Sequence, residues 1–138
     1  MTRTARSNTC VLLAVASALL MPAVAYAEDI NGLWATDGSK CSQIFTKAGA
    51  TYAFAQNSDI YGSGFIIDGR KVVTQMAKCD IKTSKQDGPV THLILACATD
   101  VMLSSVQASF KMAGNDRMVR IFSGFSDMEI PYERCALK

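Results

Sequence analysis

Histidine and proline are scarce in this chain. Its 138 residues include one histidine, His92, and three prolines. No two cysteines are spaced as CxxC, and no CxxH pair occurs, so the usual ligand spacing of a zinc site is missing. The sequence also lacks a phosphate-cradling glycine loop and a calcium-binding loop. These absences argue against a zinc, calcium or nucleotide-binding protein, and we expect no metal and no cofactor.

Long apolar runs are missing outside the N-terminal region. Arg3 and Arg6 precede an apolar run over 11–20, and the triplet Ala-Tyr-Ala closes the region at 25–27. This order is typical of a secretory signal peptide, and the run is too short to span a membrane. We therefore expect cleavage after residue 27 and export to the periplasm or the extracellular space. Residues 28–138 would then form one domain without membrane insertion.

An excess of charge of one sign is missing from that domain. Two of the 14 basic residues lie in the predicted signal peptide, and all 12 acidic residues follow it, so twelve charges of each sign remain. A domain of zero formal net charge has no electrostatic footprint for nucleic acid or for an anionic membrane. We expect neither as a partner.

Four cysteines remain once the signal peptide, which contains Cys10, is removed. They are Cys41, Cys79, Cys97 and Cys135. An even number of cysteines in a small exported domain predicts disulfides, here two. Zinc is the competing interpretation, but the ligand spacing and the lone histidine disfavour it.

The pairing of the cysteines follows from a predicted hairpin. The segment 85–89, Lys-Gln-Asp-Gly-Pro, is a strong turn signal between two strand-like flanks. Facing residues of an antiparallel hairpin have a constant sum of residue numbers. A hairpin centred on this turn places Cys79 opposite Cys97, which leaves Cys41 to pair with Cys135.

The rest of the domain alternates short apolar-patterned segments with turn signals, which predicts an all-β fold. Strands are predicted over Gly32–Ala35, Thr51–Ala55, Gly64–Ile67, Lys71–Met76, Lys78–Thr83, Thr91–Ala98, Ser105–Met112, Met118–Phe122 and Glu129–Arg134. If 71–83 is one bent strand there are eight, which suits a small closed antiparallel barrel. A short helical turn is expected within 39–46.

A tight turn at Gly114–Asp116 predicts the register of a second hairpin. It sets Met112 opposite Met118 and Phe110 opposite Arg120.

The only tryptophan follows the predicted cleavage site in the segment Gly32-Leu33-Trp34. This segment resembles the Gly-x-Trp opening of the calycin barrels, the lipocalins and their small bacterial relatives. The resemblance implies a barrel with one end closed by the tryptophan, and a basic residue from a late strand stacked on the indole ring. Arg134 and Arg120 are the candidates for that residue.

A second resemblance is to the periplasmic barrel inhibitors of lysozymes and of metalloproteases. The lysozyme inhibitors have a Gly-x-x-Tyr loop, which Gly49-Ala50-Thr51-Tyr52 matches. The metalloprotease inhibitors also begin near a Gly-x-Trp. This resemblance implies an exposed loop, over 49–52 or 60–65, that enters the cleft of a hydrolase.

Candidate catalytic and metal-binding groups are few. His92 is the one side chain that titrates near neutral pH when unperturbed, which makes it the general base of any small hydrolase built here. We expect it instead to be structural or solvent-facing, on the face opposite Leu93, because Gly62-Ser63-Gly64 lacks the pattern of a nucleophile elbow. The acidic residues lie in turn-like contexts that select no pair. The five methionines after the signal peptide are too scattered in sequence for a copper(I) site.

Together these features predict a non-catalytic exported binding protein, which we expect to be a monomer. Its partner would be a small apolar ligand at an open end of the barrel, or an envelope protein that contacts its loops. We expect three aromatic residues to contact that partner, namely Tyr52, Tyr61 and Phe65. Two alternatives stay open: a periplasmic inhibitor of a lysozyme or secreted protease, and a small hydrolase that uses His92.

Overall fold

The structure is a computed structural model that describes residues 29–125 and 128–138. The predicted signal peptide, with Cys10, lies outside the described residues, and so does Asp127, one of the acidic residues of the predicted domain. The strands are β1 (Gly32–Ala35), β2 (Phe45–Ala48), β3 (Thr51–Phe54), β4 (Gly64–Asp68), β5 (Lys71–Thr74), β6 (Lys78–Asp87), β7 (Val90–Ala98), β8 (Leu103–Met112), β9 (Arg117–Ile121) and β10 (Glu129–Cys135). The helix α1 spans Cys41–Ile44, and short 3-10 segments span Gly38–Lys40 and Ser58–Tyr61.

Eight of these strands form a closed antiparallel barrel. Their order around the barrel is β1-β10-β9-β8-β7-β6-β5-β4, so neighbours in sequence are also neighbours in space except where β1 meets β4 and β10. Strands β2 and β3 pair only with each other and form a separate two-stranded sheet. The predicted fold class, an all-β eight-stranded barrel, is confirmed.

The barrel wall separates two apolar cores. The interior core consists of buried side chains that alternate along the strands: Trp34, Phe65, Ile67, Val72, Cys79, Ile81, Leu93, Leu95, Cys97, Ala108, Phe110, Met112, Met118 and Tyr132. The second core lies on the outside of the wall and joins α1 and the β2–β3 hairpin to β1 and β4. It contains Leu33, Ala35, Ile44, Phe45, Ile66 and Cys135. The barrel itself is therefore filled by its own side chains.

Both predicted disulfides are present. Cys41 pairs with Cys135, with 5.6 Å between their Cα atoms, and joins α1 to the end of β10. Cys79 pairs with Cys97, with 4.0 Å between the Cα atoms, and these two residues face each other across β6 and β7. Two disulfides in a small domain are typical of an oxidising compartment outside the cytosol.

The turn that joins β6 to β7 differs from the prediction. Residues 85–87 belong to β6, and only Gly88 and Pro89 form the turn. Next to this shorter turn, Asp87 faces Val90, and their residue numbers sum to 177. At the disulfide, Cys79 faces Cys97, and the sum is 176. A β-bulge between Ile81 and Thr83 adds one unpaired residue to β6 and accounts for the difference. Cys79 still faces Cys97 as predicted, because the bulge lies between the turn and the cysteines and returns the residue sum to 176.

Arg70, in the β4–β5 turn, holds this bulge. Its guanidinium donates to the carbonyl oxygen of Ile81 and, at 3.1 Å, to that of Lys82, while the Ile81 amide donates to the Arg70 carbonyl at 2.8 Å. A bulge leaves ladder groups without their strand partner, and one side chain supplies the missing donors here.

The helical turn expected within 39–46 is present as α1, but residues 45–48 beyond it form β2, a strand that was not predicted. The predicted strands Lys71–Met76 and Lys78–Thr83 are separate, because Gln75–Ala77 form a turn, so the alternative of one bent strand over 71–83 is wrong. The barrel has eight strands for another reason: the predicted strand Thr51–Ala55 corresponds to β3, which lies outside the barrel. The second predicted register is confirmed, with Met112 opposite Met118 and Phe110 opposite Arg120.

Replacing Arg70 by Met is expected to lower the free energy of unfolding by about 1 kcal/mol, because the bulge carbonyls exchange two charge-assisted hydrogen bonds for water. The measurement is urea denaturation followed by tryptophan fluorescence. The matched control is Lys85→Met, which removes an exposed charge from β6, the strand that contains the bulge. This variant should change the free energy of unfolding by less than about 0.5 kcal/mol. Equal effects in the two variants would contradict the assigned role.

Candidate functional site

One end of the barrel is closed by Trp34 and Arg134. Trp34 is fully buried, and its Nε1 donates to the carbonyl oxygen of Ile30 at 2.9 Å. The Arg134 guanidinium lies over the indole ring, 4.3 Å from its centroid. Arg120, the other predicted candidate, lies instead over the ring of Phe122, 4.7 Å from its centroid.

Arg134 also ties three segments together at this closed end. Its Nε donates to the carbonyl oxygen of Asn115 at 2.7 Å, and its Nη2 donates to that of Asp29 at 2.8 Å. Its Nη1 donates to the Asn31 carbonyl. The segment 29–31, which precedes β1 and has no regular secondary structure, and the β8–β9 turn are thereby held against β10. Hydrogen bonds therefore cover this end of the barrel.

The opposite end carries the connections β5–β6, β7–β8 and β9–β10, together with the 3-10 segment that precedes β4. Large apolar side chains on these connections, and on the first residue of β8, are exposed. We call this set the open-end rim; it consists of Ile60, Tyr61, Met76, Val101, Met102, Leu103, Phe125 and Met128.

The open-end rim is continuous around much of the barrel mouth. Gln75 Nε2 donates to the carbonyl oxygen of Gly62 at 2.9 Å and to Ser58 Oγ at 3.3 Å, which joins the 3-10 segment to the β5–β6 turn. That turn and the β7–β8 turn are the two walls of a cleft of about 750 Å³ that both Met76 and Met102 line. A smaller cleft, about 210 Å³, separates β8 from the β9–β10 connection.

The charged side chains around the rim are mostly acidic. Asp59 precedes Ile60, Asp100 precedes Val101, and Glu129 begins β10, while Lys78 begins β6. These four residues together carry an excess of two negative charges in a domain whose formal net charge is zero.

The three aromatic residues expected to contact a partner lie in three different places. Tyr61 belongs to the rim, and Tyr52 is exposed on β3 of the outer hairpin. Phe65 is buried inside the barrel, where its ring packs against Phe110 and Tyr132 at centroid distances of 5.4 Å and 4.7 Å. The structure does not bring these three together.

Of the rim residues, only Tyr61 was predicted from the sequence to contact a partner. Met76, Val101 and Met102 lie within turns, where a strand-by-strand search for alternating patterns does not look. The available signal was large apolar residues inside turn segments, where polar residues are usual.

His92 lies on the outside of the barrel wall. Its Nδ1 is 2.8 Å from the Oγ of Ser109, which faces it across β7 and β8. Ser109 is only 3% exposed, and among the described residues no carboxylate is hydrogen-bonded to His92. A buried hydroxyl beside a histidine without an orienting acid suits a structural hydrogen bond better than a nucleophile.

Two carboxyl groups have perturbed titration. Hydrogen bonds from the hydroxyl and the backbone amide of Ser39 lower the pKa of Asp37, which caps the segment leading to α1. The ammonium of Lys71, paired with Asp80 across β5 and β6, lowers the pKa of the Asp80 carboxyl. Both groups are accessible to solvent, and they stabilise local turns and strands rather than forming a site.

Within residues 29–125 and 128–138, no group of three or more His, Cys, Asp or Glu side chains is arranged to hold a metal ion. The helices described there are too short to cross a membrane. Compared with protein-family models, with curated proteins and with solved structures, the chain gives no match.

Replacing Arg134 by Lys is expected to lower the free energy of unfolding by about 2 kcal/mol, because lysine keeps the charge but not the planar fork of donors. The measurement is urea denaturation. Arg117→Lys, at an exposed position of β9, is the matched control and should cost less than about 0.5 kcal/mol. An Arg134→Lys variant as stable as the parent would show that the closed end does not depend on the guanidinium.

Proposed function

We propose that the protein is a non-catalytic, monomeric exported binding protein that docks a polypeptide partner on its open-end rim. One observation carries this proposal: of the ten large apolar side chains exposed among the described residues, eight belong to the rim. Exposed apolar side chains scattered singly need no explanation, but their concentration at one place marks an interaction site.

The filled barrel favours a polypeptide over a small apolar ligand. A pocket that holds a small molecule encloses roughly 70–90% of its surface. The interior of this barrel is occupied by large side chains such as Trp34, Leu93 and Met118, all fully buried. The cleft of about 750 Å³ at the rim lies between two turns at the surface, and a partner with its own convex apolar surface fits it better.

The charge of the rim defines the chemistry of that partner. Asp59 and Asp100 each lie next to an exposed apolar residue, and a complementary surface carries Lys or Arg beside its apolar residues. The methionines of the rim suit such a partner, because unbranched thioether side chains adapt to irregular surfaces. The proposed partner is therefore a polypeptide segment with apolar and basic side chains.

Two further features support this proposal. The two disulfides suit an exported protein. The stacking of Arg134 on Trp34 in an eight-stranded antiparallel barrel supports the resemblance to calycin barrels, which also have one closed and one open end.

The proposal predicts that the purified protein binds a fluorescein-labelled amphipathic peptide of leucine and lysine, measured by fluorescence anisotropy. The variant Met76→Gln/Val101→Thr/Met102→Gln should weaken this binding at least about tenfold, because polar side chains remove apolar area from the contact. Tyr52→Ser/Ile94→Thr is the matched control, since these two exposed apolar residues lie outside the rim. Its affinity should equal that of the parent.

Three outcomes would contradict the proposal. The parent protein fails to bind the peptide; the rim variant binds as tightly as the parent; or a neutral small probe such as N-phenyl-1-naphthylamine binds at the rim while the peptide does not. The third outcome would identify a carrier of small apolar ligands.

A second candidate function uses the β2–β3 hairpin. This hairpin pairs with no barrel strand, and its tip residues from Lys47 to Tyr52 are all exposed. Small residues at the tip, including Gly49 in a left-handed conformation with φ of 66°, suit entry into a narrow cleft. This observation favours the inhibitor alternative.

If the hairpin is inhibitory, the protein at micromolar concentration will slow a lysozyme or a secreted protease. Tyr52→Ser will relieve the inhibition, because Tyr52 is the large exposed side chain of the hairpin tip. Initial rates of cell-wall lysis and of peptide hydrolysis test this. Unchanged rates with the parent protein would exclude inhibition of the enzymes assayed.

A further inference from the structure

The methionines of the domain divide sharply by exposure. Met76, Met102 and Met128 are 84%, 59% and 48% exposed, and all three belong to the open-end rim. Met112 and Met118 are 9% and 0% exposed and face each other inside the barrel. The rim methionines are thus open to solutes, whereas the interior pair is shielded by the barrel wall.

These thioethers are also the oxidisable sulfur atoms that solvent can reach. The four cysteines of the described domain are already paired in two disulfides. Trp34, the other readily oxidised side chain, is fully buried. An oxidant that meets the folded domain therefore finds its reactive sulfur at the rim.

We propose that Met76, Met102 and Met128 are reversible oxidation sites that switch off docking at the rim. This inference rests on the proposed function for its effect on binding, but not for the location of the sites.

The oxidant is a peroxide such as hydrogen peroxide. A sulfur lone pair attacks one peroxide oxygen, the S–O bond forms, and the O–O bond breaks. The departing hydroxide takes the proton from the sulfur-bound oxygen and leaves as water. The sulfur loses two electrons and the peroxide gains them. Methionine sulfoxide reductases reverse the change with two electrons and two protons from a dithiol, and the sulfoxide oxygen leaves as water.

The sulfoxide changes the rim in the property on which docking depends. It converts a flexible apolar side chain into a polar, chiral one. Met76 and Met102 stand on the two walls of the same cleft, so both walls become polar together. The fold should be unaffected, because the interior methionines and the barrel core are out of reach.

In the test, protein with both disulfides formed is treated with increasing concentrations of hydrogen peroxide. Peptide mass spectrometry then identifies the residues that have gained oxygen. Oxygen is expected on Met76, Met102 and Met128 well before Met112 and Met118, with an unchanged circular dichroism spectrum. The Kd for the labelled leucine–lysine peptide should rise at least about tenfold, and treatment with both sulfoxide reductases should restore it.

The variant Met76→Leu/Met102→Leu/Met128→Leu separates the switch from the docking surface. Whatever its starting affinity, the ratio of its Kd after and before peroxide should stay near one, because leucine is apolar and not oxidised. Met112→Leu is the matched control, and its binding should remain sensitive to peroxide.

A triple leucine variant that loses binding after peroxide treatment, as the parent does, overturns the switch and leaves the docking proposal standing. Equal oxidation of rim and interior methionines overturns the site assignment. Failure of the parent to bind the peptide overturns the docking proposal, and with it the switch, while the oxidation map still decides where the reactive sulfurs lie.

Discussion

The closure of the barrel by β1 is the constraint on which the rest of the structure depends. This strand has four residues, yet it pairs with β4 on one side and β10 on the other. Its side chains serve both cores, because Trp34 points into the barrel and Leu33 points to the outer layer. Without β1 the sheet would have two open edges, Trp34 would leave the interior, and the outer hairpin would have no wall to pack on.

The sequence predicted the parts of this fold that local rules govern. The constant residue sum in a hairpin identified the pairing of Cys79 with Cys97, and a tight turn identified the register of Met112 with Met118. The rules failed where a tertiary contact intervenes. The bulge near Lys82 depends on Arg70, a residue from a different hairpin. The sequence pattern within β6 therefore does not predict the bulge. The strand over 45–48 pairs with β3 along its length, and Phe45, its one buried residue, anchors it in the outer core.

The candidate site was harder to predict than the fold, and the reason is physical. The rim combines residues from turns that are far apart in sequence, and only closure of the barrel brings their ends to one mouth. Phe65 shows the opposite error: an aromatic residue at the start of β4 suggested a contact residue, but its position in the strand points it inward against Tyr132. Exposure, rather than residue type, separates a contact residue from a core residue here.

The two disulfides differ in what must happen before each can form. Cys79 and Cys97 are 18 residues apart within one hairpin, whereas Cys41 and Cys135 are 94 residues apart and meet only when β1 has joined β10. Closing a long loop is the slower event, because more chain entropy is lost before contacts compensate. The bridge between Cys41 and Cys135 therefore forms only after the barrel has closed. In a chain that carries only the short-range bridge, no covalent bond yet ties the start of the domain to its last strand. Until the second bridge forms, an open sheet edge of a newly made copy can pair with another chain instead of with its own β1.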